Sequence, residues 1–455
     1  MKIPKGKWIS GFWPMIFMSF STGSVYCWTL FREDIMEHAP AFTNQILTLC
    51  FMLALFFLGM TAAFGGKLVE RSVKRASLYT FIFFTLGWLI TGIGVYIGGT
   101  LGVVLALVGF GPIQGIGLGL GYLTPVKTLM MWFDDRKGFA AGLAIAAFGL
   151  AGLIGNPIIG FLLQNFTVYQ AFFILTALFG VLCLVAYIII DRPELKAADA
   201  AMKTLSAKEV MLKKKFWFLW MVLFLNIAAG LALMSHEQQI YIMLGLDSTL
   251  NRAMIVLFCT FTAGGGNLVG RLIMASSQDK TNKKHLPYYV MSIGSIVMCG
   301  IAIVIGATHF STAFIIIFVI QFFFGAGFAC LPEILNQQYG MKQLATIQGY
   351  MLTAWAFAAL VGPQIAAFIL DLGERIVVGG YAMFRIYNQA GSYVLGTVND
   401  LEGAYAFAKA YESAPVLGTL NMLYAVLAGM FTVQLVFLLL FARTCKKDKL
   451  ATSTT

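Results

Sequence analysis

Arg271 stands in the stretch G-G-G-N-L-V-G-R-L-I-M-A-S-S-Q-D-K-T-N-K-K, residues 264–284, eight positions before Asp279, where the charged residues begin. On a helix that separation is about 12 Å, so a permanent guanidinium is held inside an otherwise apolar run. Inserting it into lipid costs about 2.5–3.5 kcal/mol, and a carboxylate gripped through two parallel hydrogen bonds is the planar partner that best offsets this. Arg271 is therefore a candidate anion-binding residue; the alternative is a structural arginine paired with Glu333 or with helix C-terminal carbonyls. A second polar island, Ser235-His236-Glu237-Gln238-Gln239, interrupts another apolar run. A histidine beside a carboxylate in a watered path can exchange protons near neutrality. The same island can instead be an outer-gate hydrogen-bond cluster whose side chains snorkel to the interface. Two charged loops complete the set, G-G-K-L-V-E-R-S-V-K-R with Glu70 and Arg71, and D-K-T-N-K-K with Asp279 and Lys280. A carboxylate at a helix end, among cations and neighbouring helix dipoles, can hold one side of a bundle closed; it can also merely anchor topology.

These groups must be positioned by membrane helices. Of 455 residues, 59% are hydrophobic and 11% charged, whereas about a quarter of a soluble domain is charged. Apolar runs of about 20 residues occur near 8–31, 44–66, 77–97, 101–131, 138–162, 168–190, 216–243, 253–276, 287–307, 311–332, 343–370 and 415–442, twelve expected spans. The first follows a basic start like that of a signal peptide. Its apolar core is too long for one and no small-residue cleavage site follows, so an uncleaved span is expected.

The net charge of +11 does not point to nucleic acid. With a cytoplasmic N-terminus, 25 of the 31 Lys and Arg residues fall on that side and five outside, with Arg271 between. That asymmetry orients a multi-pass protein in the cell (inner) membrane with both ends in the cytoplasm. The seven cysteines form no C-x-x-C pair, and six lie in apolar runs, so they read as small packing residues.

The only long cytoplasmic connection, about 192–215, divides a six-span unit (1–191) from a second (216–455). An internal repeat supports the division. At an offset of about 207, Gly121-Tyr122-Leu123-Thr124-Pro125 aligns with the stretch from Gly327 to Pro332, Gly142 with Gly349 and Phe148 with Trp355; at about 209, Glu70-Arg71 matches Asp279-Lys280. Repeated six-helix units that rock about a midplane site are the construction expected of carriers. An external segment, 372–413, breaks the symmetry, and its alternating aromatics suit a short hairpin or a surface helix. A lid over the outer mouth and a passive insertion both fit it. The run G-F-G-P-I-Q-G-I-G-L-G-L-G, 109–121, mimics a dinucleotide loop but lies inside a span with no preceding strand. Close helix packing accounts for it, and the same glycines can let that helix bend.

The two charged loops resemble the signature loop of the major facilitator superfamily, with Glu70 for the usual aspartate and Val73 for glycine. The block G-Y-L-T-P-V-K-T-L-M-M-W-F-D-D-R-K-G-F-A-A-G-L-A-I-A-A-F-G, 121–149, resembles helices 4 and 5 of the oxalate:formate antiporter family within it, and G-S-V-Y-C-W-T-L-F, 23–31, resembles its first helix. The resemblance covers both halves outside 372–413. It implies an all-α polytopic membrane protein with twelve transmembrane helices in two six-helix pseudo-symmetric bundles. The family's oxalate exchanger holds a dianion with an arginine in helix 8 and a lysine in helix 11, inside an aromatic cage. By resemblance Arg271 takes the arginine's place, Tyr26 and Tyr122 match cage tyrosines, and Phe324 and Phe328 fall at helix 10 aromatics. Trp355 stands at the lysine position, Phe148 at a tyrosine's and Val25 at a polar residue's. One cation kept and one lost implies a monoanion.

The function expected is secondary transport of a small or amphipathic monocarboxylate, by exchange or proton symport, from a monomer. Drug or metabolite efflux is the alternative, and it calls for a cation-attracting cavity. A membrane enzyme or receptor is disfavoured: the sequence holds no metal-ligand cluster, no nucleophile with a nearby base, no phosphate loop outside lipid and no signalling domain. No cofactor is expected.

Overall fold

The structure, a computed structural model, describes residues 6–195, 204–243, 257–305, 310–374, 385–387, 393–395 and 413–453. A π-helical turn, Lys7–Phe12, leads into α1 (Trp13–Gly23), which tightens to 3₁₀ over Ser24–Phe31 before α2 (Arg32–His38). There follow α3 (Asn44–Arg71), α4 (Val73–Ile97), α5 (Gly99–Val108), α6 (Gln114–Trp132), α7 (Lys137–Asn165) and α8 (Val168–Ile189). The short α9 (Ala207–Met211) precedes α10 (Lys214–Met243), and a π turn, Thr260–Gly266, opens α11 (Asn267–Asp279). The chain continues as α12 (Leu286–Ile305), α13 (Phe310–Tyr339), α14 (Leu344–Glu374) and α15 (Ser413–Ser453).

Among the described residues, ten helices are long and apolar enough to cross a membrane, and they match ten of the twelve expected spans. The two that fall short of that measure are the first and the eighth. Both are helical where described, the eighth over 257–279; the expected start of that span, 253–256, lies outside the described residues. Their shortfall has a physical reason. They carry Ser19, Ser21, Thr22, Ser24, Thr262, Asn267 and Arg271, all buried against other helices. Polar groups tolerated in this way face a bundle interior, not lipid. Both segments also leave α geometry, and π and 3₁₀ turns within long helices commonly mark functional bends.

The run 109–121 is helical throughout, with a π turn at Gly109–Ile113 around Pro112 between α5 and α6. Gly142 and Gly349, paired by the repeat, make equivalent crossings. A Cβ on Gly142 would lie 2.8 Å from the Arg271 carbonyl oxygen on α11, and Gly349 meets the Ala62 carbonyl on α3 in the same way. Thus α7 packs on α11 as α14 packs on α3. Within 372–413, β1 (Arg385–Tyr387) and β2 (Tyr393–Leu395) pair antiparallel, Ile386 opposite Val394, which is the hairpin alternative. Residues 375–384, 388–392 and 396–412 of that segment lie outside the described residues, as do 196–203 of the central connection. All seven cysteines are free thiols.

Candidate functional site

Arg271 projects from α11 with 1% of its side chain exposed. Its Nη1 donates to the Ile145 carbonyl of α7 at 2.5 Å, and the guanidinium carbon lies 5.7 Å from the centre of the Phe328 ring. Tyr26 and Tyr122 face the same cation. Gly149 makes room for it: a Cβ there would sit 3.1 Å from Nη1. No acidic side chain of the described residues comes within 4 Å of Arg271. The pairing with Glu333 weighed from sequence is not made, because Glu333 faces Lys284 at 3.6 Å and accepts from Asn336 at 3.1 Å.

The six aromatic candidates join Arg271 in one connected cluster. Tyr26 and Tyr122 meet Phe148 edge-on at 5.5 and 5.7 Å, and Trp355 lies 5.4 Å from Tyr122, 6.3 Å from Phe148 and 4.6 Å from Phe328. Phe324 completes the chain at 5.4 Å from Phe328. Within this cluster Arg271 Nε, the Tyr26 and Tyr122 hydroxyls and Trp355 Nε1 are buried without a hydrogen-bond partner. Buried polar atoms are nearly always satisfied, so these donors, one of them on the cation itself, are left with hydrogen-bonding capacity to spare.

The charged loops make two reciprocal latches at the bundle end that carries them. Asp279 Oδ1 and Oδ2 accept from Gly138 N and Phe139 N of α7, each at 2.8 Å. Glu70 Oε1 accepts from Ala345 N at 2.7 Å and Thr346 N at 3.2 Å of α14. The repeat offset of about 207 carries Gly138 and Phe139 onto Ala345 and Thr346, so each half clamps a helix start of the other. First-turn amides have no intrahelical acceptor and carry the positive end of the helix dipole, so a carboxylate suits them. Arg71 and Lys280, expected in the same gate, have exposed side chains; Arg71 enters only through its carbonyl, which accepts from Arg192 at 3.3 Å.

Two members of this end were missed from sequence. Lys127, close to the loop between α6 and α7, is 1% exposed within α6 and paired with Glu70 Oε2. Its signal was the one that exposed Arg271, a cation inside an apolar run. Arg192 Nη1 donates to the Glu70 carbonyl at 2.8 Å, closing the end of α3; nothing local to Arg192 announces that contact.

The model of the Major Facilitator Superfamily matches residues 8–363. The chain belongs to that superfamily. It is a family of transporters, not enzymes, so this major facilitator is a multi-pass membrane carrier. It is 26% identical to the uncharacterized MFS-type transporter YhjX of Escherichia coli (strain K12) over 76% of this chain and 84% of that protein. It is 24% identical to the oxalate:formate antiporter of Oxalobacter formigenes over 78% and 83% respectively. Among solved structures, a bacterial homologue of the iron transporter ferroportin in an outward-facing state shares the fold, with TM-score 0.65 and 11% identity, covering 94% of this chain and 98% of that one.

In this facilitator the polar island of α10 splits in two. His236 is half-buried, its Nδ1 2.8 Å from Ser235 Oγ. Glu237, the next residue and so turned by about 100° around the helix, is 2% exposed and contacts Thr262. The side-by-side His–carboxylate pair considered from sequence is therefore not formed.

Proposed function

We propose that this facilitator carries small organic monoanions, foremost monocarboxylates, by alternating access, with Arg271 as the substrate's counter-ion. The observation that carries this reading is a fully buried arginine with no acidic partner among the described residues, beside Phe328, Tyr26 and Tyr122 of a ring cluster that Phe148, Phe324 and Trp355 complete. A bound carboxylate completes the guanidinium through paired charge-assisted hydrogen bonds, and the Tyr122 hydroxyl and Trp355 indole can donate to the same oxygens. A single cation matches a single negative charge. The apolar rings around it favour a formyl, methyl or larger alkyl remainder over a second carboxylate.

The Glu70 and Asp279 latches hold one end shut while the anion is bound and release when the halves, 1–191 and 216–455, rock about the site. The basic end faces the cytoplasm of a cell (inner) membrane, with both termini on that side. The similarity to the oxalate:formate antiporter supports an anionic substrate. Transport runs on solute gradients, either exchanging two carboxylates or moving one with a proton.

The test is uptake by proteoliposomes offered labelled formate, lactate, pyruvate and oxalate, with and without internal counter-substrate. Arg271→Ala is expected to abolish uptake of every carboxylate while expression and melting temperature hold. Unchanged carboxylate uptake in that variant, or transport of organic cations instead, would overturn the assignment.

A further inference from the structure

The carboxyl of Glu237 sits in a setting that suits an acid better than an anion. Its Oε1 contacts the Thr262 hydroxyl, but Thr262 has one hydrogen to give, and its Oγ1 also lies 2.7 Å from the Phe258 carbonyl one turn back, an oxygen that can only accept. Thr262 can give that hydrogen either to Oε1 or to the Phe258 carbonyl, and in the second arrangement the hydrogen between Glu237 and Thr262 is the carboxyl's own. Oε2 is buried with no partner. The groups facing Glu237 are Tyr241 on α10, Cys259 and Thr262 on the segment leading to α11, and Tyr424 on α15. Each is neutral in its ordinary form. α13 adds Ile316, Ile317 and Ile320 to the same core, and His236 turns towards Ser235. No Lys or Arg of the described residues comes within 4 Å of the carboxyl. An isolated carboxylate enclosed in this way is costly to keep charged, because it is stripped of water with no cation to replace it.

Thr262 also lies nine residues before Arg271 on one helical segment, about 13 Å along the axis. Thr262 itself lies in the π turn Thr260–Gly266, whose three consecutive glycines, Gly264, Gly265 and Gly266, separate it from Arg271. π turns inside helices are frequent at functional sites, and this one segment contacts both the anion site and the acid.

We infer that Glu237 is the proton-binding group of this carrier, taking up one proton for each carboxylate that Arg271 binds, so that the loaded carrier crosses as an electroneutral pair. The inference rests on the carboxylate reading above. The balance is simple: a proton from one side joins the Glu237 carboxylate, an anion joins Arg271, and both leave on the other side.

The experiment uses the purified full chain in proteoliposomes and whichever of labelled formate, lactate or pyruvate shows Arg271-dependent counterflow. With a gradient of one pH unit, acid outside, the wild type is expected to accumulate the probe about tenfold, the limit for one proton per anion, and trapped pyranine should report acidification on adding it. Glu237→Gln, a fixed mimic of the neutral acid, is expected to reduce accumulation to none while counterflow at equal pH persists. Counterflow that ignores Arg271 overturns the carboxylate reading. Arg271-dependent counterflow with no pyranine response in the wild type, or with tenfold accumulation intact in Glu237→Gln, overturns this inference alone. If Glu237→Gln also loses counterflow, the wild-type pyranine response together with Thr262→Val decides: weakened accumulation in Thr262→Val upholds the proton site, and undiminished accumulation overturns it.

Discussion

Removing Asp279 should loosen a latch it does not touch. In Asp279→Ala the amides of Gly138 and Phe139 lose the acceptors that hold them at 2.8 Å. A hydrogen bond to a charged group contributes about 1.5–3 kcal/mol net; with Asp279 half-buried the lower value is appropriate, and two such bonds give about 3 kcal/mol. At 1.4 kcal/mol per decade this is roughly 150-fold in the equilibrium between latched and unlatched states. The decisive readout lies across the bundle, at Ala345 and Thr346, whose amides are held by the untouched Glu70. If the two latches open as one unit, hydrogen exchange at those amides should also accelerate by up to about 150-fold, since exchange through opening tracks the population of the open state. Asp279→Asn, which keeps one acceptor oxygen without its charge, should accelerate it by about tenfold on the same scale. Mass spectrometry of peptides covering 137–142 and 343–348 resolves the two sites. Faster exchange confined to 137–142, with 343–348 unchanged, would show the latches to be independent and refute the reciprocal gate.

Glu70→Gln leaves Lys127 buried without its carboxylate, which should cost about 3–5 kcal/mol and lower the melting temperature in detergent; adding Lys127→Met should recover most of the loss, and a double variant as unstable as the single would contradict the pairing. Trp355→Lys places a second cation in the cage, so counterflow should shift from monocarboxylates towards oxalate; an unchanged ratio would argue against charge matching. Gly149→Ala sets a Cβ 3.1 Å from Arg271 Nη1, and the displaced guanidinium should raise the KM for a carboxylate several-fold at unaltered expression, the effect expected from about 1 kcal/mol of lost binding. A KM equal to wild type would mean that the guanidinium moves aside without penalty.

The helical spans were legible because lipid imposes one rule on every residue in it: backbone groups must be satisfied within the segment, so long apolar runs become helices. Arg271 stood out for the converse reason, as a charge where that rule makes charge expensive, and the two loop carboxylates stood out by their repeated charged loops. The aromatic cage was reachable only through resemblance, since Tyr26, Tyr122 and Trp355 do not differ in local sequence from other aromatics in the spans. Lys127 shows the limit of counting charge by position: it lies close to a loop, and only packing places it inside against Glu70.

Composition and spacing by themselves determined a polytopic chain, an asymmetry of its charge, an internal repeat and a cation, Arg271, inside an apolar run, because these are legible in the chain without knowing which segments meet. Tertiary structure decided which groups meet. It turned Glu70 and Asp279 onto the helix starts of the opposite half, separated His236 from Glu237, set Glu333 against Lys284, and joined six rings into a cluster that meets Arg271 through Phe328. Such pairings depend on the rotation and crossing of helices far apart in the chain, which no local pattern encodes.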